Sequence, residues 1–468
     1  MKGVNALGAV PRMPARIHLP RAIVRSVAAK IHAAVPTVGG SLVRMKLPAT
    51  ISGVAPEHYG RMKKLLKRYK PSLRFVPGAA ASFGLGGTVD DLVPGGNFSA
   101  ALSYGDITVA GVGTTSYVCD GQALAFGHPM TFGGRTELGA GSADSLTIVP
   151  DPLGPFKLAN VGSPLGTLDQ DRLAGVRAVD GEPPTIPVTT AMTSLDSGRS
   201  HVGETDVVLE DALPDLAFTH IFSNIDSVFD KIGSGSASYT WTIEGTREDG
   251  TPWELHRSNM YVSDFDLSSD SAFEIYDELI RIAEYPNEKV SFTSVQATVD
   301  LDETVRDYEL LDVLFCRHGS CRSVPSIRAR PGQTLRFRAT LRPSDGAPDQ
   351  TVAFELTIPP SARSGATVSV GGGTGCIFIF GECGFDAQEP ETFDKLLSKL
   401  EHQKPNEVLA AQLFTGRKAR VRDHADTLFD QVVSGSVQIP VFFPKQCCPP
   451  DVPGSSEGDA FFRPNAVR

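Results

Sequence analysis

His128 lies in Gln122–Pro129, QALAFGHP, where an apolar stretch, Ala123–Phe126, gives way to Gly127, His128 and Pro129. Proline has no N–H for a β-ladder, so a strand stops there and leaves the imidazole at a strand-to-loop corner, a common place for catalytic groups. An imidazole can take a proton from a hydroxyl. The hydroxyl, a poor nucleophile near neutral pH, needs that base within reach, a carboxylate to fix the base's tautomer and backbone donors for the oxyanion. Candidate nucleophiles are Ser142 and Ser145 in GAGSADSL, with Asp144 between them, and Ser197 in SLDSGRS. Candidate acids are Asp106, Asp144, Asp169 and Asp171. Each has a structural reading beside the catalytic one. GAGSADSL suits a mobile surface loop, and Asp196-Ser197-Gly198 suits a hairpin turn. Asp171 beside Arg172 suits an ion pair, and Ser163 in Val-Gly-Ser-Pro reads as a turn.

Strands must position these groups. Ile107–Val112 and Thr114–Val118 are rich in β-branched residues, and Gly111 and Gly113 read as breaks in them. Phe98–Tyr104 precedes them as a strand, and Asp120-Gly121 is a turn. Thr185–Thr193 and His201–Leu209 form a hairpin around Ser197. From Ser236 the chain reads as leaving this core. Ser238–Gly245 and Pro252–Arg257 make a hairpin carrying Trp241 and Trp253. Asp270–Ala283 is an amphipathic helix, and Lys289–Leu301 and Arg306–Phe315 are strands. Thr334–Leu341 and Thr351–Ile358, around a turn rich in Pro, Asp and Gly, have the pattern of a β-sandwich. Residues 389–403 and 405–414 read as helices, and Ser436–Phe442 as an edge strand because of Pro440. Pro56–Tyr69 has helical spacing with a basic outer face.

Several of these motifs recur in one known family. Gly105-Asp106, Gly111–Thr114 (Gly-x-Gly-Thr), Phe126–Pro129 (Phe-Gly-His-Pro), Phe156-Lys157-Leu158 and Gly166-Thr167-Leu168 with Gln170-Asp171-Arg172 stand in the order and spacing of the SpoIVB peptidase domain. The chain resembles that family over about residues 45 to 180, and more weakly beyond, in the manner of its longer bacterial relatives. The resemblance implies a chymotrypsin-like, β-barrel-type serine peptidase with His128 as general base. It also implies a serine in a Gly-x-Ser-Gly-Ser-Pro setting, a motif this sequence does not contain.

The expected fold is mainly β: a chymotrypsin-like barrel core followed by a β-sandwich-like extension with a few helices. The 468 residues exceed one ordinary core. The expected division is a basic N-terminal segment (1–45), a peptidase-like domain (46–235), an α+β extension (236–325), a sandwich-like and helical region (326–446) and a disordered tail (447–468). A net charge of −10 argues against nucleic acid as a partner. No apolar run of about 18 residues is present to span a membrane. Residues 1–45 carry Arg12, Arg16, Arg21, Arg25, Lys30 and Arg44 among their cations, and no acid. They read as a disordered tail, an export remnant or a basic amphipathic helix, Arg21–Ala34, touching anionic lipid.

Seven cysteines include Cys316/Cys321 and Cys376/Cys383, spaced for hairpin-closing disulfides, and the vicinal pair Cys447-Cys448. Disulfides would imply an extracytoplasmic, oxidising location; free thiols or a metal site are the other readings, although the CxxC steps of zinc sites are lacking. No cofactor or metal is expected. Gly371–Gly375 lacks the lysine and helix of a phosphate loop. The expected function is hydrolysis of a protein or peptide substrate at His128; the alternative is a catalytically inactive peptidase-like scaffold or binding protein of the cell envelope.

Overall fold

The computed structural model describes residues 16–30, 32, 34, 41–43, 47–60, 73–78, 86–150, 155–362, 365–372, 391–415 and 420–443. The fold is mainly β, 54% strand against 17% helix, as the sequence led us to expect. Internal contacts divide the chain into two compact units. The first gathers residues 1–308, 373–408 and 429–433; the second gathers 309–372, 409–428 and 434–468.

In the first unit, β1 (Arg16–His18) pairs with β2 (Ser41–Val43), and α1 (Arg21–Lys30) lies between them in sequence. Next come β3 (Leu47–Ser52), β4 (Leu73–Pro77), β5 (Asn97–Gly105), β6 (Thr108–Cys119), β7 (Gln122–Ala125), β8 (Gly134–Val149), β9 (Phe156–Arg172) and β10 (Gly175–Val179). The chain continues through β11 (Ile186–Ser194), β12 (Ser200–Val207), α2 (Leu213–Phe229), β13 (Gly235–Arg247) and β14 (Pro252–Ser263). Then follow α3 (Leu267–Ser271), α4 (Phe273–Ala283), β15 (Val290–Asp302) and, after the excursion into the second unit, α5 (Phe393–Glu401). One 13-stranded sheet runs β14-β13-β15-β11-β12-β5-β8-β9-β10-β7-β6-β3-β4. Because β5 also pairs with β6, the strands β5, β8, β9, β10, β7 and β6 are hydrogen-bonded in a ring.

The strands differ from the sequence reading in telling ways. Gly111 and Gly113 do not break β6, which runs unbroken to Cys119. A Cβ on Gly113 would stand 2.1 Å from the ring of Phe126, so glycine makes room for a neighbour rather than ending the strand. Ser142, Asp144 and Ser145 belong to β8 and Ser163 to β9, not to a loop and a turn. The small residues there permit close packing of adjoining strands: a Cβ on Gly141 would meet the Ser163 carbonyl at 2.7 Å.

The sheet does not end at residue 235. β15 pairs in parallel with β11 and antiparallel with β13, so residues 236–302 extend the sheet of the expected peptidase domain. Helix α2 packs on β11 and β12, and fifteen of its seventeen residues are buried. The helix expected over Asp270–Ala283 is two pieces, α3 and α4, the first begun by Asp266, whose side chain accepts the Ser269 N–H. Beneath α4, Arg257 Nη1 lies 2.5 Å from Glu274 Oε1 and 2.7 Å from Glu278 Oε1, all three buried. Trp241 Nε1 donates to Glu278 Oε2 at 2.7 Å.

The second unit holds most of the strands of two further sheets. In one, Asp307–Arg317, Thr334–Pro343 and Gln350–Thr357 lie side by side; in the other, Ile327–Arg328, Ser436–Phe442, Ala366–Gly372, Val408–Thr415 and Arg420–Leu428. Val408–Thr415 is therefore a strand, where the sequence suggested a helix over 405–414. Its apolar run is buried on both faces while it pairs with Ala366–Gly372. Ser436–Phe442 is not an edge strand, since Ile327 and Arg328 pair with its last two residues, beyond Pro440. Cys316 and Cys321 form a disulfide. Most of Pro56–Tyr69, together with Cys376, Cys383, Cys447, Cys448, residues 373–375 and the tail 447–468, lies outside the described residues.

Candidate functional site

β7 ends at Ala125, and the next two residues turn the chain through left-handed backbone, Phe126 at φ 73° and Gly127 at φ 71°. A bulky residue with positive φ is held there only by its surroundings. The Phe126 N–H donates to the Thr114 carbonyl at 3.0 Å, and its ring meets Phe98 edge-on at 5.6 Å in the space that Gly113 leaves open. His128 follows, exposed, its ring 5.7 Å from that of Phe126. Its Nδ1 lies 3.0 Å from the Pro129 carbonyl oxygen. A carbonyl only accepts, so Nδ1 carries the hydrogen, which leaves Nε2 as the nitrogen that could accept a proton.

Asp171 fixes the rest of this loop. Fully buried on β9, it accepts from Met130 N at 2.8 Å through Oδ1. Through Oδ2 it accepts from Thr131 N at 2.7 Å, Thr131 Oγ1 at 2.8 Å and Gly133 N at 3.3 Å. The loop's second left-handed phenylalanine, Phe132 at φ 62°, is nearly half exposed. These bonds correct both expectations for Asp171. All go to residues 130–133 and none to His128. Arg172 donates instead to Gln170 Oε1 at 2.8 Å, and Asp169 pairs with Arg177.

The serines are not brought to the imidazole. Ser142, Asp144 and Ser145 are exposed along β8. Ser197 sits in the β11–β12 turn, its hydroxyl 2.9 Å from Ser194 Oγ, so the turn reading describes its place. Among the described residues no hydroxyl and no carboxylate hydrogen-bonds to either ring nitrogen of His128. Asp106 serves other imidazoles. Its Oδ2 accepts from Asn224 Nδ2 at 2.9 Å and lies 3.4 Å from His201 Nε2 and 3.9 Å from His220 Nδ1. His220 is fully buried, with Nε2 3.0 Å from Thr190 Oγ1 and Nδ1 2.8 Å from Thr205 Oγ1. Burial pushes its pKa down to about 4, against the pull of Asp106.

Beside the His128 corner stands a cluster that the serine inventory overlooked. Lys157, near the start of β9, reaches to β5 and β6. Its Nζ donates to Asn97 Oδ1 at 2.8 Å, the Gly113 carbonyl at 2.9 Å and Thr114 Oγ1 at 2.8 Å. No carboxylate among the described residues pairs with it, and burial holds its ammonium below the ordinary lysine range. Thr114 is exposed. The available signal was a lysine amid small and apolar residues in Phe-Lys-Leu and a threonine closing Gly-x-Gly-Thr. No group of three or more His, Cys, Asp or Glu placed to hold a metal ion is found among the described residues. Comparison with models of protein families, with curated proteins and with solved structures finds no match.

Proposed function

We propose that the first unit is a SpoIVB-like peptidase core and that the protein hydrolyses peptide bonds of a protein or peptide substrate, with His128 as general base. One observation carries this reading. An exposed imidazole whose Nδ1 faces the Pro129 carbonyl stands on a loop that holds two phenylalanines in left-handed backbone, and a buried carboxylate fixes that loop. Such conformations cost about 1–3 kcal/mol each and gather where a site needs a fixed geometry. The ring of six paired strands supports a barrel-type core. The Cys316–Cys321 bond supports an oxidising, extracytoplasmic location, and the cations of residues 1–45 would suit a peripheral contact with anionic lipid. Among the described residues no helix is long and apolar enough to cross a membrane.

The test is cleavage of an unfolded, quenched-fluorescent protein by the full chain. Wild type should cleave it, and His128→Ala should slow cleavage about 10²-fold or more, the usual share of a general base. Absence of cleavage by folded wild type overturns the reading. The second reading is a non-catalytic scaffold or binding protein of the cell envelope, favoured by the lack, among the described residues, of any hydroxyl bonded to His128. It expects the unfolded protein to be bound and released intact.

A further inference from the structure

The hydrolase reading leaves the nucleophile unassigned, and the best-placed hydroxyl at that corner belongs to a threonine. Thr114 is an exposed residue, and its Oγ1 lies 2.8 Å from Lys157 Nζ. The Thr114 carbonyl is tied to the Phe126 N–H, two residues before His128. The amine is oriented by Asn97 Oδ1 and by the Gly113 carbonyl, both neutral acceptors. An amine without a carboxylate partner, set against neutral groups and partly withdrawn from water, gives up its proton more readily than a surface lysine. A neutral amine at that distance can take the hydroxyl proton, the same division of labour as a hydroxyl beside an imidazole.

We propose that Thr114 is the nucleophile of this site and Lys157 the base that activates it, acting on the acyl carbonyl of a peptide bond. The proposal rests on the hydrolase reading and supplies the group that reading lacks. In the first half-reaction the Thr114 Oγ–H proton passes to neutral Lys157 Nζ as the Oγ–C bond forms. The same proton then goes to the departing amine nitrogen as the C–N bond breaks, leaving an ester on Thr114. In the second, water attacks the ester carbonyl while His128 Nε2 takes its proton. The imidazolium returns that proton to Thr114 Oγ as the Oγ–C bond breaks and the carboxylic acid leaves. Asn97 is a positioning residue.

The test is acylation of the full-length protein by a β-lactone probe, with the adduct located by peptide mass mapping, alongside the cleavage assay above. Wild type should be acylated on Thr114. Thr114→Val should lose both the adduct and cleavage, and Thr114→Ser should keep both. Lys157→Arg retains a positive charge and several donors but cannot act as a base at neutral pH. It should melt within a few degrees of wild type yet acylate at least about 10²-fold more slowly. Should Lys157→Arg fail to fold, Asn97→Ala gives a milder displacement of the same amine and should slow acylation with cleavage in proportion. An adduct on another hydroxyl, or full cleavage by Thr114→Val, overturns the proposal. If Thr114→Val cleaves and His128→Ala does not, the hydrolase reading stands without this nucleophile. If wild type neither cleaves nor acylates, both fall.

Discussion

Asp171 gathers four hydrogen bonds from one loop and pairs with no cation among the described residues, although Arg172 is its sequence neighbour. Asp171 and Arg172 are adjacent in sequence, but successive strand residues point to opposite faces, so one is buried under the loop and the other lies outside. The two motifs that hold His128 and Asp171 lie some forty residues apart and meet through the register of β8 with β9, where Gly134 stands opposite Asp171. The sequence therefore revealed the members of this corner without their roles. Thr114 and Lys157 stand in motifs that glycines and apolar residues dominate, with no histidine or carboxylate beside them in sequence to mark them as a pair. Replacing the carboxylate by an amide leaves one acceptor oxygen facing several donors, and hydrogen bonds to a charged acceptor contribute about 1.5–3 kcal/mol each. Asp171→Asn is expected to lower stability by about 2–3 kcal/mol in urea unfolding. It should also slow cleavage, because the loop bearing His128 loosens. A variant as stable as wild type would show that the clamp contributes little.

At the scale of an element, α2 is decisive and was invisible. Its sequence, LPDLAFTHIFSNIDSVF, sets Asp215, Thr219, His220, Ser223 and Asn224 on one side, but all five are buried, so it lacks the charged outer face by which a surface helix is recognised. Its polar residues point inward instead: His220 and Asn224 meet Thr190, Thr205 and Asp106. The groups whose charge reaches His220 are Asp106, which favours its protonation, and His201, which opposes it. Burial dominates, so the folded state binds this proton less readily than the unfolded chain does. As the pH falls from about 6.5 towards about 4, the unfolded chain takes up a proton that the fold refuses, and stability drops. The loss should be on the order of 3 kcal/mol by pH 4, with the full contribution present above pH 6.5. Urea midpoints at pH 7.5 and pH 4.5 measure it. The dependence should shrink in His220→Gln, and an equal slope in both proteins would refute the assignment.

For the whole molecule, the β class and many of the strands could be read from alternation and turns, whereas the partition could not. Residues 236–325 read as a separate extension because hairpins look alike in sequence wherever they dock; the long-range pairing of β15 with β11 puts 236–302 in the first sheet. Residues 405–414 read as a helix because a short run buried on both faces, the strand Val408–Thr415, carries no strand period. The disulfide lies in the second unit and closes a loop with a sequence separation of five residues. Loop-closure entropy for so short a ring is about 2 kcal/mol. Reduction with dithiothreitol is expected to lower the unfolding midpoint of that unit alone, leaving the transition followed by Trp241 and Trp253 in place. Equal shifts in both transitions would mean that the two units do not unfold separately.

The scattered origin of the first unit also bears on how it is made. Trp253 and Tyr285 close around Phe393, whose side chain is fully buried. A growing polypeptide cannot finish that packing until α5 has left the ribosome, more than a hundred residues after the indole emerges. During synthesis the unit must wait, incomplete and with apolar surface open, for a segment that follows the indole by well over a hundred residues. Premature termination before residue 393 would therefore harm a region already translated.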